Sequence, residues 1–230
     1  MPQLGTADPV FYRRWIIANG WSEAAGLGTT FVLGRALAPW LEHATGAVTV
    51  LLGALAAVLL GTLLEGVLVG VAQEAVLRDR LASLRKRAWM LATATGAALA
   101  WLLGMIPSTV LALRPQDAAA SPLAEPSALV QYALAAALGL IAGPVLGFAQ
   151  WTVLRRHVAD AAWWLWANAA AWAIGMPLIF LGMEYVPWTG PPAAKLLAIY
   201  GVCGAVGVVV GAIHGRFLVN LLRPVSRAAD

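Results

Sequence analysis

Two glutamates stand inside otherwise apolar stretches, and they are the residues of this sequence best placed to do chemistry. Glu23 follows Trp15 by eight residues, and Glu65 precedes Arg78 by thirteen. In helices these separations correspond to depths of roughly 12 Å and 19 Å. The hydrocarbon core of a bilayer is about 30 Å thick, and an ionised carboxylate at its centre costs at least about 2.5–3.5 kcal/mol. If these stretches cross a membrane, both acids are predicted to face the protein interior, where they are neutral or hold a cation.

Two interpretations of this candidate site follow from the residue types. In the first, Glu23 and Glu65 form a proton- or cation-binding site on a transport path. In the second, they are two neutral carboxylic acids that bond to each other or to the backbone. Glu23 shares a helix face with Asn19, four residues earlier, and that face also carries Gly26. We therefore predict that this face of the first helix points inward.

The composition indicates that the elements carrying these acids lie in a membrane. The chain has 230 residues, of which 61% are hydrophobic and 11% are charged. Soluble domains average about 45–50% apolar and about 25% charged residues. The pI of 9.7 does not predict nucleic acid as a partner, because the basic residues stand at the ends of apolar runs and form no stripe. The predicted partners are the lipid bilayer and its anionic lipid headgroups.

Six apolar runs reach the length of about 20 residues that a helix needs to cross a bilayer. They cover residues 15–37, 45–77, 88–113, 127–154, 161–185 and 192–222. No small-residue cleavage site closes a short apolar stretch near the start, so the first run is predicted to remain in the mature protein. The sequence therefore predicts an all-α integral membrane protein with six transmembrane helices.

The distribution of Lys and Arg predicts the orientation of these helices. With the N-terminus in the cytoplasm, the cytoplasmic segments hold twelve of the 15 basic residues: Arg13, Arg14, Arg78, Arg80, Arg85, Lys86, Arg87, Arg155, Arg156, Arg216, Arg223 and Arg227. The outer segments hold the other three: Arg35, Arg114 and Lys195. Each cytoplasmic segment has more basic residues than any outer segment, which predicts that both termini lie in the cytoplasm.

Two motifs recur and predict an internal repeat. The first stands at the start of the odd-numbered runs and pairs a Trp with an Asn or Thr four residues later: Trp15 with Asn19, Trp89 with Thr93, and Trp164 with Asn168. The second, Gly-x3-Gly-x2-Gln or -His, stands near the end of the even-numbered runs: Gly66, Gly70 and Gln73; Gly143, Gly147 and Gln150; Gly207, Gly211 and His214. We predict a single transmembrane domain of three parallel two-helix repeats around a pseudo-threefold axis, over about residues 11–80, 85–157 and 160–223.

The phrases GxxxGxxQWxVLRR and WWxxANxxxWAxG resemble those of a group of small multi-span bacterial membrane proteins with repeated Gln-Trp and Trp/Ala-Asn motifs. The resemblance covers most of the chain. It implies residence in the bacterial cytoplasmic membrane and implies no particular activity. This sequence departs from the pattern at Glu74, where the second repeat has Trp151, and at His214, which replaces Gln. Glu74 can pair with Arg78 at the i,i+4 spacing.

The motifs predict how the helices are held together. Lipid tails give helices no hydrophobic drive to associate, so close packing and interhelical hydrogen bonds must do so. The six motif glycines expose smooth faces that allow a partner backbone to approach. The polar motif residues lie at similar depth and are predicted to form one polar layer: Asn19, Thr93, Asn168, Gln73, Gln150 and His214. The tryptophans near helix ends fit interface anchors, whereas Trp21, Trp101 and Trp172 lie deeper and are predicted to pack.

Three interpretations of the polar layer remain open: a clamp between helices, a selectivity ring around a central path, or a ligand set for a pigment or haem. Haem is disfavoured because His43 and His157 are expected outside the membrane. The sequence has no metal-spaced His/Cys cluster, no nucleophile elbow and no mid-span lysine, so we predict no catalytic residue, metal site or cofactor. Two functions stay open: a transporter or channel for a small solute, proton or ion, and a non-transporting membrane scaffold or accessory subunit.

Overall fold

The computed structural model describes residues 8–42, 46–114 and 126–222, and within these ranges the chain forms helices and no strand. The six long helices are α1 (Pro9–Glu42), α2 (Ala47–Leu77), α3 (Lys86–Ala112), α4 (Ala128–Leu154), α5 (Trp163–Glu184) and α6 (Pro192–Leu221). Five of them, α2 to α6, are long and apolar enough to cross a membrane. The predicted all-α class is confirmed, and these five helices indicate a membrane protein. His43, Arg223 and Arg227 lie outside the described residues.

The helices follow the predicted apolar runs closely, and the largest difference is at the start of α1. This helix begins at Pro9, six residues before its apolar run. Asp8 caps it, because its Oδ1 accepts hydrogen bonds from the backbone N–H groups of Val10 and Phe11 at 3.0 Å. Asp before Pro is a typical helix start. Hydropathy alone overlooks such a polar first turn.

The six helices form a closed ring in chain order. Within the described ranges each helix contacts its two neighbours in the sequence, and α6 returns to contact α1. Consecutive helices run in opposite directions, so the starts of the odd-numbered helices and the ends of the even-numbered ones gather at one end. We call this the basic end, because it carries Arg13, Arg14, Arg78, Arg80, Arg85, Lys86, Arg87, Arg155, Arg156 and Arg216. Ion pairs of Arg14 with Asp79 and of Arg80 with Asp8 join α1 to the segment after α2.

Glycines form the seam between each even-numbered helix and the helix that follows it around the ring. A Cβ atom at Gly66 would lie 2.9 Å from the backbone of α3, one at Gly143 would lie 2.4 Å from the backbone of α5, and one at Gly207 would lie 2.6 Å from the backbone of α1. A second glycine lies one turn further along each seam: Gly70, Gly147 and Gly211. Any larger side chain at the first three positions would force the two helices apart.

The largest buried side chains lie near the basic end. Trp15, Trp89 and Trp164 are completely buried, and we call these three residues the aromatic plug. The prediction that they anchor the chain at a membrane interface is therefore wrong. The seams bring the helices close enough for the indoles to fill the middle of the ring. Trp21, which was predicted to pack, is 50% exposed on the outside of the ring.

Candidate functional site

The residues of the predicted polar layer lie together inside the ring. Each is at most 2% exposed. Gln150 bonds to two other residues of the layer. Its Nε2 donates to Oε1 of Gln73 and to Oγ1 of Thr93, both at 3.0 Å. Gln73 in turn donates through Nε2 to Oδ1 of Asn19 at 2.9 Å. Side chains from the first four helices are thereby joined in one hydrogen-bonded chain.

The aromatic plug is bonded to this layer from the basic side. Nε1 of Trp164 donates to Oε1 of Gln150 at 2.8 Å, and Nε1 of Trp15 donates to Nδ1 of His214 at 3.0 Å. In both pairs an odd-numbered helix bonds to the even-numbered helix that precedes it around the ring. Nε1 of Trp89 is buried with no hydrogen-bond partner among the described residues. Oε1 of Gln73, on the helix that precedes Trp89, accepts from Gln150.

Each motif Asn or Thr also bonds to the Trp four residues before it. Nδ2 of Asn19 and of Asn168 donates to the carbonyl oxygens of Trp15 and Trp164 at 2.8 and 2.9 Å, and Thr93 Oγ1 does the same to Trp89 at 3.0 Å. The amide oxygen of Asn168 is buried and has no hydrogen-bond partner in the part of the chain that the structure describes. It lacks the donor that Gln73 supplies to Asn19.

At the basic end, side chains block the interior of the ring. The plug indoles meet edge to face, with the Trp15 and Trp164 rings 6.0 Å apart and the Trp89 and Trp164 rings 6.5 Å apart between centroids. Three leucines, each four residues after the motif Gln or His, are completely buried beside them: Leu77, Leu154 and Leu218. No open path through the described residues therefore crosses this end along the ring axis.

Glu65 reaches the interior from a π-helical turn that interrupts α2 at Gly61–Gly66. Before this turn, none of the residues Ala47–Leu60 is fully buried, so α2 reaches the buried core from this turn onward. A Cβ at Gly26 of α1 would lie 2.6 Å from the Cα of Glu65, so only glycine allows this approach. Glu65 is 8% exposed, and its Oε2 accepts a hydrogen bond from Nε1 of Trp101 at 2.9 Å. π-Helical turns within α-helices are frequent at functional sites.

Glu23 is more completely buried than Glu65, and one of its carboxylate oxygens makes no hydrogen bond to the described residues. Its residue is 2% exposed, and Oε2 is buried with no hydrogen-bond partner among the described residues. Its stem packs on Gly207, where a Cβ would lie 2.7 Å from the Cβ of Glu23. Glu23 and Glu65 share a small cavity of about 10 Å³ with residues of the polar layer. Such a volume holds about one water molecule.

A second, large cavity of about 670 Å³ occupies the other half of the ring. It shares Glu65 with the small cavity, together with Ala97, Leu146 and Trp172. Its far end is lined by Gln131, Glu184 and Trp188, of which Trp188 is 44% exposed. The large cavity therefore runs from the end opposite the basic end down to Glu65.

The sequence analysis did not predict the role of Trp101 or the large cavity, and its prediction for Glu74 is wrong. Trp101 was predicted only to pack, yet it is the hydrogen-bond donor to Glu65. The large cavity has no sequence signature, because its lining comes from five helices. Glu74 is buried at 5% exposure, and neither ion pair in the described part of the chain includes it. The predicted pairing of Glu74 with Arg78 is wrong because the Glu74 side chain turns inward while Arg78 is exposed.

Comparison with known proteins returned no relatives. No family model matches the chain, and neither the curated proteins nor the solved structures include a significant match. The function of the site is therefore inferred from its geometry.

Proposed function

We propose that the protein is a transporter of a small solute, proton or ion in the bacterial cytoplasmic membrane, with Glu23 and Glu65 as its intramembrane proton- or cation-binding site. One observation carries this proposal. The large cavity ends at Glu65, and directly beyond it the small cavity is lined by Glu23, whose Oε2 has no hydrogen-bond partner among the described residues. A buried carboxylate oxygen without a partner is costly. A proton or cation that binds there relieves that cost.

The proposed architecture has six membrane spans, with α1 as the sixth. α1 is 34 residues long, enough to cross a bilayer, and it completes the ring between α2 and α6. We propose three parallel two-helix repeats around a pseudo-threefold axis, with both termini in the cytoplasm. The repeated seams support the repeats, and the basic end supports the orientation through the positive-inside rule.

In this proposal the polar layer and the aromatic plug form the cytoplasmic gate. The large cavity gives access from the outer side, while the layer and the plug separate Glu23 from the cytoplasm. Hydrogen bonds between membrane helices average only about 0.6 kcal/mol. The hydrogen bonds of the polar layer therefore add only a moderate part to the cost of opening this gate, and the packing of the aromatic plug adds the rest.

The alternative is a non-transporting scaffold or accessory subunit, in which the same layer only clamps the helices. The chain of hydrogen bonds from Asn19 through Gln73 to Gln150 and Thr93 favours this alternative, because it joins several helices. The two functions differ in what they require of Glu23. A clamp bonded by other side chains does not need its charge, whereas a proton path does.

The discriminating experiment measures proton flux into liposomes with a trapped pH-sensitive dye, driven by an imposed potential. Glu23→Gln and Glu65→Gln are compared with the wild type and with Glu74→Gln, a matched control that also neutralises a buried glutamate but lies outside both cavities. We expect the first two variants to lose flux while they keep the wild-type thermal stability, and the control to retain it. Wild-type liposomes without flux of protons, alkali cations or common metabolites would contradict the transport proposal and favour the scaffold.

A further inference from the structure

We infer that the large cavity binds a lipophilic cation with a single positive charge, and that Glu65 is its counter-charge. The inference deepens the proposed function and rests on it for transport. Binding itself depends only on the chemistry of the cavity.

The size and walls of the cavity call for an apolar ligand. A volume of about 670 Å³ is within the range of about 300–1,000 Å³ that is usual for small-molecule sites. Aliphatic and methionine side chains form much of its wall: Leu27, Leu138, Ile179, Met105, Met176 and Met183. Methionines adapt their shape to different apolar partners. The wall therefore suits a bulky hydrocarbon body.

The charges of the cavity select the sign of the ligand. Glu65 lies at its floor and Glu184 at its far end, and none of the described residues that line it is Lys or Arg. A cation that enters meets a carboxylate at both ends. An anion of the same shape finds no basic side chain among these lining residues and is repelled by the two acids. Arg35 contacts the cavity only through Trp188 at its far end, with the guanidinium 5.9 Å from the ring centroid.

Aromatic rings add to the preference for a cation. Phe31, Trp101, Trp172 and Phe180 all line the cavity, and the faces of such rings attract positive charge. Trp101 also donates to Glu65, so one indole holds the carboxylate at the floor. Beyond Glu65, the small cavity of about 10 Å³ admits a water or a proton and no organic group. The ligand must therefore stop at Glu65. Its positive charge is then next to one buried carboxylate, which suits a cation with a single charge.

Equilibrium binding to the purified protein in detergent tests this inference. The probes are radiolabelled tetraphenylphosphonium and, in separate samples, radiolabelled tetraphenylborate, which has nearly the same shape and the opposite charge; the two ions are not mixed, because together they form an insoluble salt. We expect saturable binding of the cation and much weaker binding of the borate. Glu65→Gln should weaken binding of the cation by on the order of tenfold or more, whereas Glu74→Gln should leave it unchanged.

Two further variants keep the test valid if Glu65→Gln unfolds the protein. Glu65→Asp retains the charge and should keep most of the binding. Ala100→Phe leaves Glu65 intact, places a phenyl ring in the large cavity that Ala100 lines, and should weaken binding. Equal binding of the two ions, or wild-type affinity in Ala100→Phe, would overturn the inference.

The two proposals fail in different ways. If the cation does not bind but liposomes still show a proton flux that depends on Glu23, the ligand class is wrong and transport stands. If the cation binds in a manner that depends on Glu65 but no flux occurs, the cation site stands and transport is wrong.

Discussion

The indole N–H of Trp101 donates to Oε2 of Glu65 over 2.9 Å, and this bond joins α3 to the π-helical turn of α2. Gly61 makes the bond possible, because a Cβ at that position would lie 2.1 Å from Nε1 of Trp101. The glycine, the indole and the carboxylate therefore form one unit at the floor of the large cavity. In this unit Trp101 is a positioning residue for Glu65.

Trp101→Phe should destabilise the protein and weaken the proposed cation site. The variant keeps an aromatic ring but removes the donor to a buried carboxylate, a change that costs about 1–3 kcal/mol. Denaturant titration in detergent measures this loss, and tetraphenylphosphonium binding reports on the site. Trp21→Phe is the control, because Trp21 is 50% exposed. Equal effects of the two substitutions would show that the Trp101–Glu65 bond contributes nothing.

Gly26→Ala should lower the stability by about 1–3 kcal/mol, the usual cost of overpacking. Its new Cβ would lie 2.6 Å from the Cα of Glu65 and 3.0 Å from the carbonyl oxygen of Leu64, so α1 and α2 would have to separate. Gly34→Ala is a matched control in the same helix, since nothing lies within 4 Å of its added Cβ. It should be neutral or stabilising by up to about 1 kcal/mol, because alanine favours the helix. Thermal unfolding of both variants in detergent checks the prediction, and a Gly26→Ala protein as stable as the wild type would contradict it.

His214→Gln should stabilise the protein by about 0.6 kcal/mol, the average of an interhelical bond in a membrane. A glutamine there can accept from Trp15 through Oε1 and donate through Nε2 to the unpartnered oxygen of Asn168. Gln73→His is the reverse exchange and should lower the stability, because it removes the donor to Asn19. Thermal unfolding midpoints of both variants in detergent check the prediction. A loss of stability in His214→Gln would show that a glutamine at position 214 does not make the bond to Asn168 that Gln73 makes to Asn19.

Cysteine labelling should show that the two ends of α1 lie on opposite sides of the membrane. The native Cys203 is completely buried and is replaced by Ala. In intact cells an impermeant maleimide should label Ala36→Cys and Thr189→Cys but not Val10→Cys or Ala82→Cys. Labelling of both α1 positions from outside would contradict six spans, and labelling of Val10→Cys and Ala82→Cys with no labelling of Ala36→Cys and Thr189→Cys would invert the proposed orientation.

The sequence predicted the helices well and the site only in part. Apolar runs and their prolines placed α4 and α6 almost to the residue, because these signals are local. The fixed spacing of Trp, Gly and Gln also predicted which residues lie together in the polar layer. The same spacing could not indicate that Trp89 lacks a partner among the described residues, because the distance between two side chains depends on how their helices pack.

The sequence by itself determined that the chain is helical and apolar along five long helices, since helix formation depends on contacts within each segment and on hydropathy. It also singled out Glu23 and Glu65 as acids without basic partners nearby. The tertiary structure alone decided that the tryptophans form a plug, that Trp101 bonds to Glu65, and that a cavity reaches that residue. These features arise from helices distant in the sequence and from the π-helical turn of α2, so no local pattern contains them.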